Sequence, residues 1–318
     1  MTITMTMTMT MTPASWRRIG SGASATVFSV AKRDVVPVAL RAAIPATVCD
    51  DDRVAVKVIP EGASDADADA ANAASVASVA NAIDRHHDDT ANHRPSSSTR
   101  RVPQARSSPT GGIVIPWGTA RYRRRTHIVM PLAQEDLASL ATRRGVSAVL
   151  NRAGRLRRLV ADAARGLATL HAAGLVHGDV RPENVLVFPR GRGAIADWGS
   201  LRAAGAHVAT WPRHWTSPPE HFARPALHAA ALAAGDMRLP EGVGAGRKRG
   251  GHVRVGAAAP EADAYSLGIS LLHLLGDAGA SRLRDARPAE WKAVCALVEP
   301  DPRRRGTVAD VAAACAEA

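Results

Sequence analysis

The feature that most constrains the fold is a change of hydrophobic pattern near residue 134. Before it, short β-branched segments such as 16–31 and 53–60 are bounded by glycine or proline, which is typical of strands. After it, apolar residues recur at helical spacing in 155–174 and 262–276. This order predicts an α+β chain with a small β-rich N-terminal lobe and a larger α-helical C-terminal lobe.

Weaker patterns add further elements to this prediction. We expect two strands at 113–118 and 126–132, joined by an arginine-rich turn, and a helix within 61–84. Two more helices are predicted near the C-terminus, at 288–302 and 307–318.

Composition indicates which segments lie outside these helices and strands. Residues 1–15 contain alternating Met and Thr and are predicted to be a disordered, low-complexity leader. Disordered insertions are expected at 33–52, 84–112 and 221–258. The remaining chain predicts one domain over 16–313, with an N-lobe at 16–130, a hinge at 131–136 and a C-lobe at 137–313.

Charge and cysteine content limit the classes of function. The net charge is +12, but it is scattered over several loops without a basic helix carrying interleaved aromatics, so nucleic acid is not the expected partner. The three cysteines have no metal or disulfide spacing, which favours a reducing intracellular setting, cytoplasmic or, given the basic run at 246–249, nuclear. No apolar run has the length of a membrane span. The oligomeric state is not determined by these features.

A glycine turn followed by a strand lysine favours a nucleotide site. Residues 20–27, GSGASATV, place glycines between two predicted strands, where backbone N–H groups can approach phosphate oxygens. Lys57 lies in the later strand VAVKVI, with apolar residues on both sides. Only four of the 41 basic residues are lysine, so a lysine in this position is informative.

Two acid-containing loops supply the remaining candidates. In HGDVRPEN, Asp179 precedes Asn184 by five residues, and AIADWGS places Asp197 thirteen residues further on. A carboxylate can accept the proton of an attacking hydroxyl group. Carboxylate and amide oxygens are also the ligands that Mg²⁺ prefers, together with phosphate oxygens. The pattern therefore favours phosphoryl transfer from ATP with Mg²⁺.

With these motifs in order, the chain resembles the eukaryotic-type protein kinase family over residues 16–313. The family's signature is present in variant form. Its parts are GSGASATV, AVK, HGDVRPEN, DWG, SPPE at 217–220, DAYSLG at 263–268 and DPRRRGT at 301–307. The resemblance implies a bilobal fold and an ATP-dependent kinase that phosphorylates Ser/Thr hydroxyl groups of a protein substrate.

The resemblance also implies a role for individual residues. Asp179 would be the catalytic base, assisted by Arg181 and Lys57, while Asn184 and Asp197 would hold Mg²⁺. Glu220 would pair with Arg305, Asp263 would support the catalytic loop, and a basic residue two places after Asp179 implies Ser/Thr acceptors. Residues expected to bind ATP are Gly20, Ser21, Gly22, Ala23, Val27, Ala55, Lys57, Met130 as gatekeeper, and Leu132 and Ala133 in the hinge.

The chain departs from the family pattern at four points. Gly178 replaces the arginine of H-R-D, so phosphorylation of the 200–216 loop is not expected to switch the enzyme on, although Thr210, Thr216 and Ser217 are present. The helix within 61–84 lacks the usual glutamate partner of the strand lysine, and Asp69 is the best substitute. The third departure is the long segment 221–258, and the fourth is tryptophan in place of the phenylalanine of D-F-G.

Two alternative functions remain open on the sequence. Small-molecule phosphotransferases acting on aminoglycosides or choline have similar HGD and DWG motifs and would use the same catalytic residues. A catalytically weak pseudokinase scaffold is the other alternative, supported by the missing helix glutamate. The segment from SPPE to DPRRRGT favours the protein kinase, because the small-molecule enzymes lack it.

Overall fold

The computed structural model describes residues 15–21, 25–61, 70–78, 111–144, 155–208, 216–221 and 256–316. Within them, a β-sheet occupies the N-terminal part and helices dominate the C-terminal part. The predicted α+β architecture with a β-rich N-lobe and a helical C-lobe is confirmed.

The N-terminal lobe is built on a five-stranded antiparallel sheet in the order β1-β2-β3-β5-β4. β3 spans the predicted residues 53–60, because its alternating β-branched side chains suit a strand buried between two neighbours. The strands are β1 Arg17–Ser21, β2 Thr26–Ala31, β3 Arg53–Pro60, β4 Gly118–Tyr122 and β5 Arg125–Met130.

The strand predicted at 113–118 is wrong in position. The alternation of half-buried and exposed residues falls one segment later, in β4. Ile113, Val114 and Ile115 are instead buried in the core that includes the C-terminal helices, and the Val114 N–H donates to the Ile195 carbonyl. Pro116 separates the two segments and has no N–H for a sheet ladder, so the strand starts after it.

The prediction of a disordered insertion at 33–52 is also wrong. This segment contains a 3₁₀ turn at Lys32–Asp34 and a short helix, α1, at Val38–Ala42. Its buried residues Leu40, Ile44 and Val48 join the core formed by the outer face of the sheet. The Lys32 ammonium donates to the Val48 carbonyl at 2.7 Å and closes the segment. Apolar residues spaced through a polar sequence thus cover the sheet.

Residues 70–78 form the helix predicted within 61–84, here α2. Ala73 contacts the sheet residues Ile59 and Ile128, whereas Val76 lies in the larger core with Ile113–Ile115. The helix therefore joins the sheet to the rest of the molecule.

The helices predicted in the C-terminal lobe are confirmed, with one longer than expected. α5 continues past the predicted end at 276, where Gly276 has non-helical backbone angles, to Ala286. Leucine, valine and alanine side chains of α4 and α5 supply much of the main core. The helices are α3 Leu137–Arg144, α4 Arg155–Ala172, α5 Pro260–Ala286, α6 Pro288–Leu297 and α7 Val308–Ala316.

Short strands organise the loops between these helices. β6 Glu135–Asp136, β8 Val185–Phe188 and β9 Arg192–Ile195 form a three-stranded antiparallel sheet. β7 Leu175–Val176 pairs with β10 Arg202–Ala203.

The end of the supposed insertion 221–258 is likewise ordered. β11 His207–Val208 pairs with β12 Gly256–Ala257. Ala258 is buried against Val176 and Val208, which a disordered segment would not allow. Three other predicted regions lie outside the described residues: the middle of 221–258, most of 84–112, and the leader 1–15 except Ser15.

Among the helices that the structure describes, none is a candidate to span a membrane.

Candidate active site

A cavity of about 550 Å³ lies between the N-terminal sheet, the segment 131–136, the loop before β8 and the loop after β9. Nine of the predicted site residues line it. The structure does not place Ser21 in its lining, and Gly22 and Ala23 are outside the described residues. The nine residues are Gly20, Val27, Ala55, Lys57, Met130, Leu132, Ala133, Asn184 and Asp197.

Strand geometry explains why the N-terminal residues converge. Ala55 and Lys57 are two residues apart on β3, so their side chains lie on the same face of the sheet. The register places Val27 opposite Lys57 on one side and Met130 opposite Ala55 on the other. Three strands thus present apolar walls and one ammonium group to the same space.

Lys57 forms an ion pair with Asp197 across the cavity. Its Nζ lies 2.6 Å from Asp197 Oδ1, and the two residues are 140 positions apart in sequence. Partial burial in the cleft disfavours the charged carboxylate, but the Lys57 charge and hydrogen bond outweigh it, so the pKa of Asp197 is lowered. Asp197 is therefore ionised and able to accept a cation at neutral pH.

Asn184 is oriented by Asp179. Its amide Nδ2 donates to the Asp179 backbone oxygen at 2.8 Å and to Asp179 Oδ2 at 3.0 Å. Because both contacts use the amide nitrogen, the amide oxygen of Asn184 remains as an acceptor or ligand. Arg181 Nε lies 3.4 Å from Asp179 Oδ2. Asp179 and Arg181 do not line the large cavity, but Asp179 is directly linked to it through Asn184.

The predicted support of this loop by Asp263 is confirmed. The backbone N–H groups of His177 and Gly178 donate to the two Asp263 oxygens at 2.7 and 2.8 Å. His171 Nε2 lies 2.9 Å from Asp263 Oδ2. Burial opposes ionisation of Asp263, but the hydrogen bond and charge of His171, with the Gly178 N–H, lower its pKa. A buried carboxylate on α5 thus fixes the loop before Asp179.

Trp198 is buried, as expected for a residue that replaces phenylalanine. Its ring meets the fully buried ring of His177 edge-on, with centroids 5.4 Å apart. His177 Nε2 also contacts the Ala196 carbonyl at 2.9 Å. These contacts bring the loop of Asp179 and the loop of Asp197 together.

The predicted Glu220–Arg305 bridge is present. Arg305 has a fully buried side chain, and its two terminal nitrogens bind the Glu220 oxygens at 2.7 and 3.1 Å. The guanidinium also lies over the Tyr265 ring, 4.9 Å from its centroid. The residues after the 200–216 loop are thereby attached to α5 and to the C-terminal helices.

Asn72 is a residue near the site that sequence reasoning missed. Its amide Nδ2 donates to the Trp198 carbonyl at 2.7 Å, from α2 to the residue after Asp197. A single asparagine in an alanine-rich helix matches no motif, so no sequence signal identifies it. Asp69, the predicted substitute for the helix glutamate, lies outside the described residues.

The donor set suits a magnesium ion bound together with a nucleotide. Mg²⁺ is commonly held by one or two protein oxygens, with phosphates and water completing the octahedron. Asn184 and Asp197 provide two such oxygens beside the same cavity. The described residues contain no cluster of three or more His, Cys, Asp or Glu side chains that would bind a metal alone. A metal held by the Asn184 and Asp197 oxygens would take its remaining ligands from phosphate groups and water.

Comparisons with known proteins agree with this geometry. The family description "Protein kinase domain" matches residues 14–218. Serine/threonine-protein kinase PknL of Mycobacterium tuberculosis is 34% identical over 110 residues, which are 35% of this chain and 21% of PknL. Serine/threonine-protein kinase PknA of the same species is 40% identical over 70 residues, 20% of this chain and 16% of PknA. The chain thus matches about a fifth of the length of these relatives.

The family match covers well over half of the chain, and it includes the strand lysine and both acidic loops. The chain belongs to the protein kinase family.

Proposed function

We propose that the chain is a serine/threonine kinase that transfers the γ-phosphoryl group of ATP to hydroxyl groups of a protein substrate. The observation that carries this proposal is the convergence of Lys57, Asn184 and Asp197 on one cavity, with Asp179 hydrogen-bonded to Asn184. Residues 16–313 would form the catalytic domain, with its N-lobe at 16–130, hinge at 131–136 and C-lobe at 137–313.

Each residue has a role in the proposed reaction. The substrate hydroxyl oxygen attacks the γ-phosphorus and forms a new P–O bond, while the bond to the β–γ bridging oxygen breaks and its electron pair leaves with ADP. Asp179 accepts the hydroxyl proton. Lys57 would orient the phosphates, and Asn184 and Asp197 would hold Mg²⁺, which would neutralise charge on the phosphate oxygens.

The walls of the cavity suit the nucleotide base. Val27, Ala55 and Met130 provide apolar contacts, and the hinge at Leu132 and Ala133 provides backbone donors and acceptors. Gly20, together with Ser21, Gly22 and Ala23, would cover the phosphates. These assignments rest on the family resemblance and on the positions of the described residues.

The choice of serine and threonine rests on two further points. Arg181 Nε lies 3.4 Å from Asp179 Oδ2. From this position its positive charge can pair with the catalytic carboxylate and with the negative charge of a phosphate group. The names of PknL and PknA also describe serine/threonine-protein kinases.

The Glu220–Arg305 bridge favours a protein substrate over a small molecule, because it belongs to the segment that small-molecule phosphotransferases lack.

Phosphate transfer from labelled ATP to a generic basic protein, followed by phosphoamino-acid analysis, tests the proposal. We expect phosphoserine and phosphothreonine. The Asp179→Asn variant should transfer about 10²- to 10⁴-fold more slowly while still binding ATP, because only the proton acceptor is lost. Transfer to an aminoglycoside or choline but not to protein would establish the small-molecule alternative. ATP binding without transfer to any acceptor would establish the scaffold.

A further inference from the structure

The contact between Asn72 and Trp198 joins α2 to the loop of the proposed metal ligand. The Asn72 amide is partly buried and donates to the Trp198 carbonyl at 2.7 Å. Trp198 directly follows Asp197, so the accepting carbonyl is one peptide unit beyond the metal ligand. A carbonyl oxygen can only accept, which fixes the amide nitrogen as the atom that faces it.

The helix that carries Asn72 is anchored on both sides. The next residue, Ala73, is 1% exposed against Ile59 and Ile128 of the sheet, and Val76 is fully buried in the main core. Asn72 therefore acts from a fixed support and not from a loop. A hydrogen bond from such a support restricts the backbone that accepts it.

Asp197 needs such a restriction because of its own backbone conformation. Its φ is +68°, in the left-handed region that non-glycine residues enter only at a cost. Conformations of this kind persist when the surroundings fix them from several directions. Lys57 holds the Asp197 side chain, and the Gly199 N–H donates to the same carboxylate at 3.4 Å. The Asn72 contact fixes the following peptide.

We propose that Asn72 is a positioning residue that holds Asp197 in the conformation required for metal binding. This inference rests on the proposed function, in which Asp197 binds Mg²⁺ beside the nucleotide phosphates. Asn72 touches neither metal nor substrate; it acts through the Trp198 carbonyl.

The test compares three substitutions at Asn72 with a control on the same helix. Asn72→Leu keeps the branched shape and removes the donor, Asn72→Ala removes both, and Asn72→Gln retains a donor. Ser75→Ala is the control, because Ser75 is exposed and donates only within the helix, to the Ala71 carbonyl. Thermal unfolding of each variant shows whether α2 remains folded.

The first readout is binding of Mn²⁺ in the presence of ADP, followed by electron paramagnetic resonance, so that no turnover is needed. We expect the Leu and Ala variants to bind Mn²⁺ about three- to tenfold more weakly, the range expected for losing one hydrogen bond. The Gln variant should recover part of this loss, and Ser75→Ala should match the unmodified protein. Equal Mn²⁺ affinity for the Leu variant and the unmodified protein would overturn the inference.

The second readout separates this inference from the proposed function. If the unmodified protein transfers phosphate, the Leu variant should lower kcat by a similar factor and leave KM for the protein substrate unchanged. If kcat is unchanged, the positioning role is wrong although the kinase assignment stands. If the unmodified protein transfers no phosphate but Mn²⁺ binding falls in the Leu variant, the proposed function fails and the positioning role stands.

Discussion

At the scale of single residues, Gly178 distinguishes this chain from kinases with an arginine at the same place. Its φ of +80° is readily available only to glycine, and its N–H donates to Asp263. The residue therefore suits the backbone turn before Asp179 without strain. In the family, an arginine at this position contacts the phosphorylated activation loop; glycine has no side chain that could do so.

We expect Gly178→Ala to lower both stability and activity. A side chain in the left-handed region should reduce the free energy of unfolding by about 1–2 kcal/mol and shift the loop that carries Asp179. Denaturant unfolding and kcat measure the two effects.

Gly174→Ala is the matched control for this substitution. Gly174 has a φ of +72° with open space around the added methyl group, and it lies at the end of α4 instead of in the catalytic loop. It should cost similar stability and little activity. An equal loss of kcat in both variants would contradict a specific role for Gly178.

At the scale of elements, the segment 33–52 packs against the N-terminal sheet and contributes to its core. Leu40 is 1% exposed in α1, and the neighbouring Val38 is 66% exposed. The two residues share one helix but differ in burial, which makes them a matched pair.

Leu40→Ala should lower the free energy of unfolding by about 2–5 kcal/mol, because it leaves a cavity between α1 and the sheet. Val38→Ala should change it by less than about 0.5 kcal/mol. Urea denaturation of both variants tests this. A Leu40→Ala variant as stable as the unmodified protein would contradict a role for 33–52 in the core and favour the predicted disordered insertion.

A second set of elements holds the loop after Asp197. β10 pairs with β7, directly before His177, and β11 pairs with β12, directly before α5. The Ala258 N–H donates to the Ala206 carbonyl, and Gly205 donates to the Ala258 carbonyl. Thr216 and Ser217 are buried, at 2% and 7% exposure. Backbone pairing therefore supports the described part of this segment.

We expect kinase activity to be independent of phosphorylation in the 200–216 loop. Treatment with a phosphatase, or the Thr210→Ala substitution, should leave kcat within about twofold. Ala258→Pro should reduce it, because proline lacks the N–H that binds Ala206. A large loss of kcat after dephosphorylation, restored by rephosphorylation, would show that the loop is a phosphate switch.

At the scale of the whole molecule, a polar cluster joins the segment at Glu220 to the start of α5 and to the residues between α6 and α7. Arg305 binds Glu220 and the backbone oxygens of residues 261, 299 and 300, so one side chain connects three segments. His221 follows Glu220 and interacts electrostatically with Glu220, Arg305 and Asp263. Burial lowers the pKa of His221 to about 4, from 6.5.

This shift predicts that stability falls as the pH is lowered from 6.5 towards 4. In that range the unfolded chain binds a proton at His221 that the folded protein does not, so acid favours unfolding. The contribution is on the order of 1–2 kcal/mol after allowance for partial exposure. Denaturant unfolding at several pH values measures it, and His221→Gln should flatten the slope. An unchanged slope would assign the acid sensitivity to other groups.

Features that depend on neighbouring residues could be predicted from the sequence. Alternating β-branched residues predicted β3 at 53–60, and helical spacing with Gly174 at its end predicted α4. The order of the motifs singled out Asn184 and Asp197, which both line the cavity, and Asp179, which lies outside its lining but is hydrogen-bonded to Asn184. These signals are local or conveyed by a motif.

Contacts between distant segments became visible only in the folded chain. Asn72 meets Trp198 across 126 positions, and Lys57 meets Asp197 across 140. No sequence pattern predicts that Leu40 packs against the sheet or that β12 pairs with β11. Such contacts form because a folded chain must bury its remaining apolar surface and pair its remaining polar groups, and which partners are within reach is a property of the complete fold.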